Sequence, residues 1–145
     1  MTASAQDKQQ IAAVIEQYRR GFATMDVEGL TAIWDQDYDN ILYIAQEAAH
    51  PVRGWAGVKR YYHRVAELFK RIRTMTVSDV SVDVFGEVAY AFCRFHFEGE
   101  MQGQPHSADG RNTFLLRRRS GTWKVIRYHE SRPGSLPIPA DGDAR

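Results

Sequence analysis

Cysteine is almost missing from this chain, and the signatures of membrane or secreted proteins are missing with it. The 145 residues include one cysteine, Cys93, which excludes an intrachain disulfide and a thiolate metal cluster. No apolar run approaches the roughly 20 residues that span a bilayer, and the polar start of the chain lacks the apolar core of a signal peptide. We therefore expect a cytoplasmic protein with no membrane partner.

An excess of one charge sign is missing as well. Lys and Arg number 19 and Asp and Glu number 18, which gives a net charge of +1, and the two signs are interspersed. Nucleic-acid binding usually requires a basic face, so no nucleic-acid partner is expected. The histidines do not have the close spacing of metal ligands, and no glycine-rich phosphate loop is present. We predict no metal and no cofactor.

What is present fits one ordinary globular domain, since 43% of the residues are apolar and 26% are charged. Apolar residues at helical spacing predict a helix after Ser4, a short helix capped by Asp26, and a third helix after Gly54 whose apolar positions extend to Ile72. Alternating patterns predict a short strand at 41–45 and four long antiparallel strands at 74–84, 88–99, 111–118 and 123–131, with a polar loop at 101–107.

A change of phase in the first long strand predicts curvature. Met75 and Val77 share one phase and Val80 the other, so a β-bulge is expected near Ser78-Asp79. Three helices cannot cover both faces of such a sheet and should lie on its concave side. The expected fold class is α+β, a cone-shaped curved antiparallel or mixed sheet with three N-terminal helices in its concave face. It should occupy residues 1–131 as a single domain, followed by a Pro/Gly-rich tail at 132–145.

Several motifs resemble those of a known superfamily. They are Lys8-Gln9-Gln10-Ile11 with Glu16-Gln17, Asp26 with Glu28, Ala91-Phe92-Cys93-Arg94, the run from Arg118 to Lys124, and Tyr128-His129-Glu130-Ser131. Together they resemble the nuclear transport factor 2-like superfamily, in particular its SnoaL-like (polyketide cyclase-like) branch and the association domain of calcium/calmodulin-dependent protein kinase II. The resemblance implies a cystatin-like α+β roll with a pocket, and a homodimer or larger homo-oligomer formed through the sheet. It does not imply one activity.

Arg94 is the first candidate for ligand binding. It lies in mid-strand between Phe92 and His96 of the same phase, and a buried arginine must face a carboxylate, a ligand or water. The resemblance matches it to a pocket arginine of the kinase association domain. Two positions matched to other arginines of that domain hold Phe114 and Glu130 here, which does not support a multi-arginine site. Glu130 could instead pair with Arg94 across the pocket.

Histidines on the central strands are candidates for proton transfer. His96 and His129 have the side chain whose ordinary pKa lies nearest neutrality. A three-residue hairpin loop with a bulge at Gly121 would place His129 beside Arg111, whereas a two-residue loop would pair Arg111 with Glu130. Because a shift of one residue moves every side chain to the other face, both alternatives stay open.

Two further constellations have weaker support. Asp26 with His63 resembles the catalytic pair of some dehydratase and dehydrochlorinase members of the superfamily, although Asp is also a favoured N-cap. The ketosteroid isomerase pattern needs a carboxylate base and an oxyanion hole of Tyr and neutral Asp, for which Asp83, Asp109 and Glu98 form no convincing set.

Aromatic side chains complete the expected pocket. The candidate ligand-binding residues are Arg94, His96, Glu130, Tyr128, Trp55, Phe92, Phe114, Arg111, His129, Tyr43 and Tyr62. Two functions remain open. One is a small-molecule-binding cone. As an enzyme it would be a cofactor-independent isomerase, lyase or cyclase of a hydrophobic carbonyl compound, in which an arginine orients an oxygen and a histidine moves a proton. The other is a non-catalytic assembly module that joins copies through an apolar sheet face.

Overall fold

The computed structural model describes residues 4–138, in which three helices pack on a six-stranded sheet. The elements are α1 Ser4–Thr24, α2 Val27–Thr31, β1 Leu42–Ile44, β2 Val52–Arg53, α3 Gly54–Leu68, β3 Phe69–Phe85, β4 Val88–Met101, β5 Gln104–Arg119 and β6 Thr122–Ser131. The strand order is β2-β1-β6-β5-β4-β3, and β1 runs parallel to β6 while the other pairs are antiparallel. The predicted α+β class with a mixed sheet is confirmed.

The three predicted helices form where the apolar stripes indicated. The α1 stripe at Ile11, Ile15, Tyr18 and Phe22 is buried against the sheet, since residues three and four apart share one helix face. Asp26 caps α2, because its Oδ1 accepts a hydrogen bond from the Gly29 backbone N–H at 3.1 Å.

The third helix ends earlier than its apolar pattern predicted. It stops at Leu68, and the apolar positions Phe69 and Ile72 belong to β3, where they pair with Met101 and Gly99. Basic and non-basic residues alternate over 71–74, a period that suits a strand, and pairing with β4 decides in favour of the strand.

The predicted polar loop at 101–107 is also corrected. It is a tight hairpin whose two central residues, Gln102 and Gly103, have φ of 53° and 79°. Turns with positive φ at both positions match the right-handed twist of the flanking strands, so β4 extends to Met101 and β5 starts at Gln104.

The predicted bulge in β3 is confirmed. Pairing with β4 shifts register between Ser78 and Ser81, and Asp79 has a φ of 56°. An extra residue on one strand bends it and increases its twist, so β3 curves around α1.

Alternation along the central strands separates the two faces of the sheet. The odd-numbered residues of β4 from Ala89 to Gly99 are buried on the concave side with the helices, and the even-numbered residues face outward. In β5, the even-numbered residues from Gly110 to Leu116 share the concave side. The core therefore lies between the helices and this face.

Residues 132–138 follow β6 without helix or strand, and positions 139–145 of the predicted tail lie outside the described residues. Within residues 4–138, none of the helices combines the length and apolar character that spanning a bilayer requires.

Candidate functional site

A cavity of about 690 Å³ lies between α1, α3 and the concave face of the sheet. This volume is in the range of pockets that enclose small organic molecules. Its wall is mostly aromatic and aliphatic, contributed by Tyr18, Phe22, Tyr43, Tyr61, Val65, Leu68, Phe69, Met75, Phe95, Phe97, Met101 and Ala108.

One titratable group stands out in this wall. The Glu130 side chain, on β6, is only 8% exposed. Its Oε1 accepts a hydrogen bond from the Tyr128 hydroxyl at 2.5 Å, and its Oε2 accepts one from the Gln46 backbone N–H at 3.2 Å. Burial raises the pKa of Glu130 to about 7, although the bonds from Tyr128 and Gln46 favour the charged form. Both protonation states are therefore populated near neutral pH.

A buried hydrogen-bond network ends at this carboxyl. Asn112 Nδ2 donates to the hydroxyls of Tyr18 and Tyr128, each at 3.0 Å, and the Cys93 thiol donates to Asn112 Oδ1 at 2.9 Å. Because Tyr128 gives its own proton to Glu130, Tyr18 is the donor in the 2.9 Å bond between the two hydroxyls. Every donated proton in the network thus points toward Glu130.

The other titratable groups of this network stay neutral. Burial raises the pKa of Tyr18 and Tyr128 well above the ordinary phenol value, and the nearby Glu130 charge raises both further. Burial also raises the pKa of the Cys93 thiol to about 12. Glu130 is therefore the member of the network that can exchange a proton near pH 7.

Gln46 lies in the cavity wall and is hydrogen-bonded to the β5 backbone. Its Nε2 donates to the Asp109 carbonyl oxygen at 3.3 Å, while its Oε1 is buried without a hydrogen-bond partner among the described residues. An unsatisfied buried acceptor is costly, so this oxygen is a ready partner for a donor group.

Apart from Glu130, the charged side chains that line the cavity lie at its exposed rim. They are Glu47, Arg64 and Arg132. The Tyr61 hydroxyl donates a hydrogen bond to the Glu47 carboxylate, which joins α3 to the segment after β1. Charges at the entrance and apolar groups inside favour a ligand with an apolar body.

Five of the predicted site residues come together on the concave side. Tyr43 and Glu130 line the cavity. Tyr128 donates to Glu130, and Phe114 packs edge-on against Tyr128 with ring centroids 5.1 Å apart. Tyr62 accepts a hydrogen bond from the Trp34 indole at 2.9 Å behind the wall. A sixth, Trp55, is partly buried against the core and is not a lining residue.

The prediction that Arg94 enters the pocket is wrong. Its side chain lies on the convex face, is 62% exposed, and is 3.9 Å from the Asp79 carboxylate rather than near Glu130. Its sequence neighbours Cys93 and Phe95 face the concave side, and alternation sends Arg94 outward. The apolar Phe92 on the phase of Arg94 suggested the opposite orientation, but Phe92 lies on the outer face too.

The remaining polar candidates are also on the convex face. His96 lies between the Asp109 carboxylate at 2.8 Å and the Glu98 carboxylate at 2.7 Å, and hydrogen bonds to Glu98 and Asp109 raise its pKa. Arg111 bonds the Ser131 hydroxyl at 3.1 Å. His129 is exposed, since its neighbours in sequence face inward. None of these side chains reaches the cavity, which corrects their predicted placement.

Neither of the two hairpin registers considered for Arg111 occurs. The two-residue turn starts the ladder with Arg119 opposite Thr122, but the register shifts at Leu115 and Leu116. Arg111 therefore pairs with Ser131, and Glu130 lies opposite Asn112 on the concave side. An irregularity inside the strand, rather than the turn, decides which face Glu130 occupies.

Tyr18, Asn112 and Gln46 were not among the predicted site residues. A partial signal was available for Asn112, a polar residue on the same phase as Phe114. The Asp26–His63 pair does not assemble, because Asp26 caps α2 and His63 is exposed on α3. Across the described residues, no group of three or more His, Cys, Asp or Glu side chains is arranged to hold a metal ion.

Residues 11–135 match the family model of the SnoaL-like domain. The chain belongs to this family. The SnoaL-like domain lies within the NTF2-like superfamily, which confirms the resemblance stated from the sequence motifs. Among curated proteins, none matches the chain by sequence.

Solved structures share the fold of this SnoaL-like domain at low sequence identity. A proposed dehydratase of the NTF2-like family from Streptomyces avermitilis is 18% identical, with a TM-score of 0.79 over 90% of this chain and 99% of that one. A proposed calcium/calmodulin-dependent protein kinase II association domain from Xanthomonas campestris is 16% identical, with a TM-score of 0.72 over 87% of each chain. A protein with a cystatin-like fold from Caulobacter vibrioides is 16% identical, with a TM-score of 0.75 over 90% and 92%. These likenesses establish the cystatin-like α+β fold.

Proposed function

We propose that this SnoaL-like domain binds a hydrophobic carbonyl compound in the interior cavity and catalyses proton transfer on it without a cofactor. The observation that carries the proposal is the Glu130 carboxyl, which lines an apolar cavity and has a pKa of about 7. A general base or acid is most effective when its pKa lies near the working pH.

The chemistry follows from the two protonation states of Glu130. The carboxylate removes a proton from the carbon next to the carbonyl, and the electrons of the broken C–H bond form an enolate. The protonated carboxyl then returns the proton to another carbon, which is isomerisation, or to a departing hydroxyl, which is loss of water. The neighbour named as a proposed dehydratase is compatible with the second outcome.

The network behind Glu130 supports a positioning role. Tyr128 and the Gln46 N–H hold one oxygen each, so the carboxyl cannot rotate freely. A group held by fixed hydrogen bonds meets its substrate in one geometry, which lowers the entropy lost in the reaction. Tyr18 and Asn112 are positioning residues, since they act through Tyr128.

A hydrogen-exchange experiment tests the proposal without knowledge of the natural substrate. The protein is incubated with 2-tetralone in D2O, and NMR follows replacement of the acidic hydrogens beside the carbonyl by deuterium. We expect exchange above the buffer rate, lost on Glu130→Gln and retained on His96→Gln, whose side chain lies on the outer face. Exchange that persists in Glu130→Gln would contradict the assignment of the base, and no exchange in the wild type would count against the activity.

A second candidate function rests on the outer face of the sheet, where we propose that a second copy of this chain docks. Phe85, Val88 and Tyr90, at the β3–β4 hairpin end, are 67%, 40% and 48% exposed. Exposed apolar side chains grouped on one sheet face are typical of an interface. Sedimentation velocity should show a dimer or larger assembly, and Tyr90→Asp should shift it to the monomer, whereas a monomeric wild type would exclude this role.

A further inference from the structure

We propose that Gly110 keeps the cavity open to larger molecules, because the absence of a side chain at this position leaves room for the ring of Phe95 against β5. The inference rests on the proposed function only in that the cavity is taken as a ligand site. It concerns the volume of the site and is independent of the chemistry assigned to Glu130.

Gly110 and Phe95 are directly opposed on the two central strands. Gly110 on β5 pairs with Phe95 on β4, and both face the concave side. A Cβ atom placed on Gly110 would lie 2.2 Å from Phe95 Cε2 and 2.4 Å from Phe95 Cζ. Carbon atoms that are not bonded attract at about 3.5–4.0 Å and repel strongly at this range. Gln46 Oε1 is the third nearest atom, at 3.0 Å, so the Phe95 ring occupies most of the space that a side chain at position 110 would need.

This glycine is not required by the backbone. The glycines with positive φ are Gly54, Gly86, Gly103 and Gly121 among the described residues, and Gly110 is not one of them. Glycine inside a strand loses packing and costs conformational entropy, so it usually marks a close approach of another group. Here the group that approaches is the Phe95 ring.

The position of that ring determines the open volume, because Phe95 lines the cavity. With glycine at 110, the end of the ring lies close to the β5 backbone, and the cavity extends beside it. With a larger residue, the end of the ring must move away from β5. We infer that it turns into the cavity, since dense packing elsewhere resists displacement.

A second strand glycine, Gly99, also lies against phenylalanine rings of the cavity, at longer distances. Its added Cβ would lie 3.2 Å from Phe69 Cδ1, 3.2 Å from Phe97 Cζ and 3.1 Å from the Arg71 carbonyl oxygen. Phe69 and Phe97 line the cavity as well, so three of its four phenylalanine rings lie against strand glycines. A smaller displacement is sufficient there, and a smaller effect on ligand size is expected.

The test measures binding of two probes that each carry one hydroxyl, 2-naphthol and the larger 1-hydroxypyrene. Gly110→Ala should weaken the binding of 1-hydroxypyrene by roughly tenfold or more and leave the binding of 2-naphthol nearly unchanged. A misplaced group of methylene size has about this effect on affinity in an apolar pocket. Adding Phe95→Leu to Gly110→Ala should restore binding of the larger probe, since the shorter side chain vacates the space.

Gly57→Ala is the matched control. Gly57 lies on α3 and does not line the cavity, and its added Cβ would lie 3.1 Å from Val52 Cγ1 on β2. It should bind both probes as the wild type does.

Two results of the binding experiment would overturn the inference. One is equal affinity of Gly110→Ala and wild type for the larger probe; the other is an equal loss for both probes that Phe95→Leu does not restore. A crystal structure of Gly110→Ala gives a readout that needs no ligand, and an unmoved Phe95 ring with an undiminished cavity would also contradict it. Wild type that binds neither probe would instead count against the cavity as a ligand site, while the crystal structure would still decide the steric claim.

Discussion

Two successive rungs of the β4–β5 ladder show how differently the faces of one sheet use polar residues. Cys93 and Asn112 pair on the concave face, fully buried and hydrogen-bonded to each other. One residue along, Arg94 and Arg111 pair on the convex face, where both are exposed. Like charges directly opposite one another are tolerated there because water screens them.

The contrast extends to the carboxyl groups. Glu130, facing inward, has a phenol and a backbone N–H as partners, and burial raises its pKa to about 7. Glu98, facing outward, lies 2.7 Å from His96 and 3.9 Å from Arg73. Burial with a few fixed partners gives one carboxyl a pKa near neutrality, while solvated partners join the other to a surface network that contributes little to stability.

Disrupting the buried hydrogen-bond network on the concave face should lower the stability of the protein most. Asn112→Ala leaves Tyr18, Tyr128 and Cys93 without their common partner and creates a small cavity. We expect the free energy of unfolding to fall by on the order of 4 kcal/mol, measured by urea denaturation. Arg111→Ala, a substitution at the adjacent residue on the convex face, should lower the free energy of unfolding by less than about 1 kcal/mol. Similar losses in both variants would remove the proposed distinction between the faces.

Neutralising the buried carboxyl should stabilise the protein at high pH. Burial raises the pKa of Glu130 from the ordinary 4.5 to about 7, so between these values the native state binds the proton that the unfolded state has released. Stability that Glu130 provides in acid is therefore lost as pH rises through this window.

Glu130→Gln should consequently unfold with a free energy up to roughly 3 kcal/mol above wild type at pH 8, with the gain vanishing toward pH 4.5. Urea denaturation across this pH range measures it, and Glu98→Gln is the outward-facing control, for which a far smaller change is expected. A gain that grows toward acid pH would reverse the assigned sign.

Removing the outward arginine should have the smallest effect. Within residues 4–138, the ion pair of Arg94 is a long, exposed one with Asp79, so Arg94→Ala should change the free energy of unfolding by less than about 1 kcal/mol. It should also leave the affinity for 2-naphthol unchanged in a fluorescence titration. A large loss of affinity would place Arg94 at the ligand after all and contradict the geometry of β4.

Local patterns predicted much of the fold. The apolar stripe of α1, the cap at Asp26 and the bulge near Ser78 follow from periodicity and residue chemistry over short windows. The end of α3 was predicted too late, since Phe69 suits either a helix or a strand until β4 is present to pair with it.

The candidate site was predicted only in part. Glu130 and Tyr43 line the cavity, and both had been chosen from the sequence. Arg94 was assigned to the wrong face, because β4 has large apolar residues on both phases and its periodicity does not identify the buried one.

The amino-acid sequence by itself determined the order of the helices and of the strands other than the two-residue β2, the curvature of β3 and the membership of the SnoaL-like family, because each depends on local periodicity or on short motifs. Only the tertiary structure decided which carboxyl has a pKa near neutral pH. A register shift at Leu115 turns Glu130 inward opposite Asn112, and burial there changes its acidity. Register and burial depend on partners distant in sequence, which no local pattern contains.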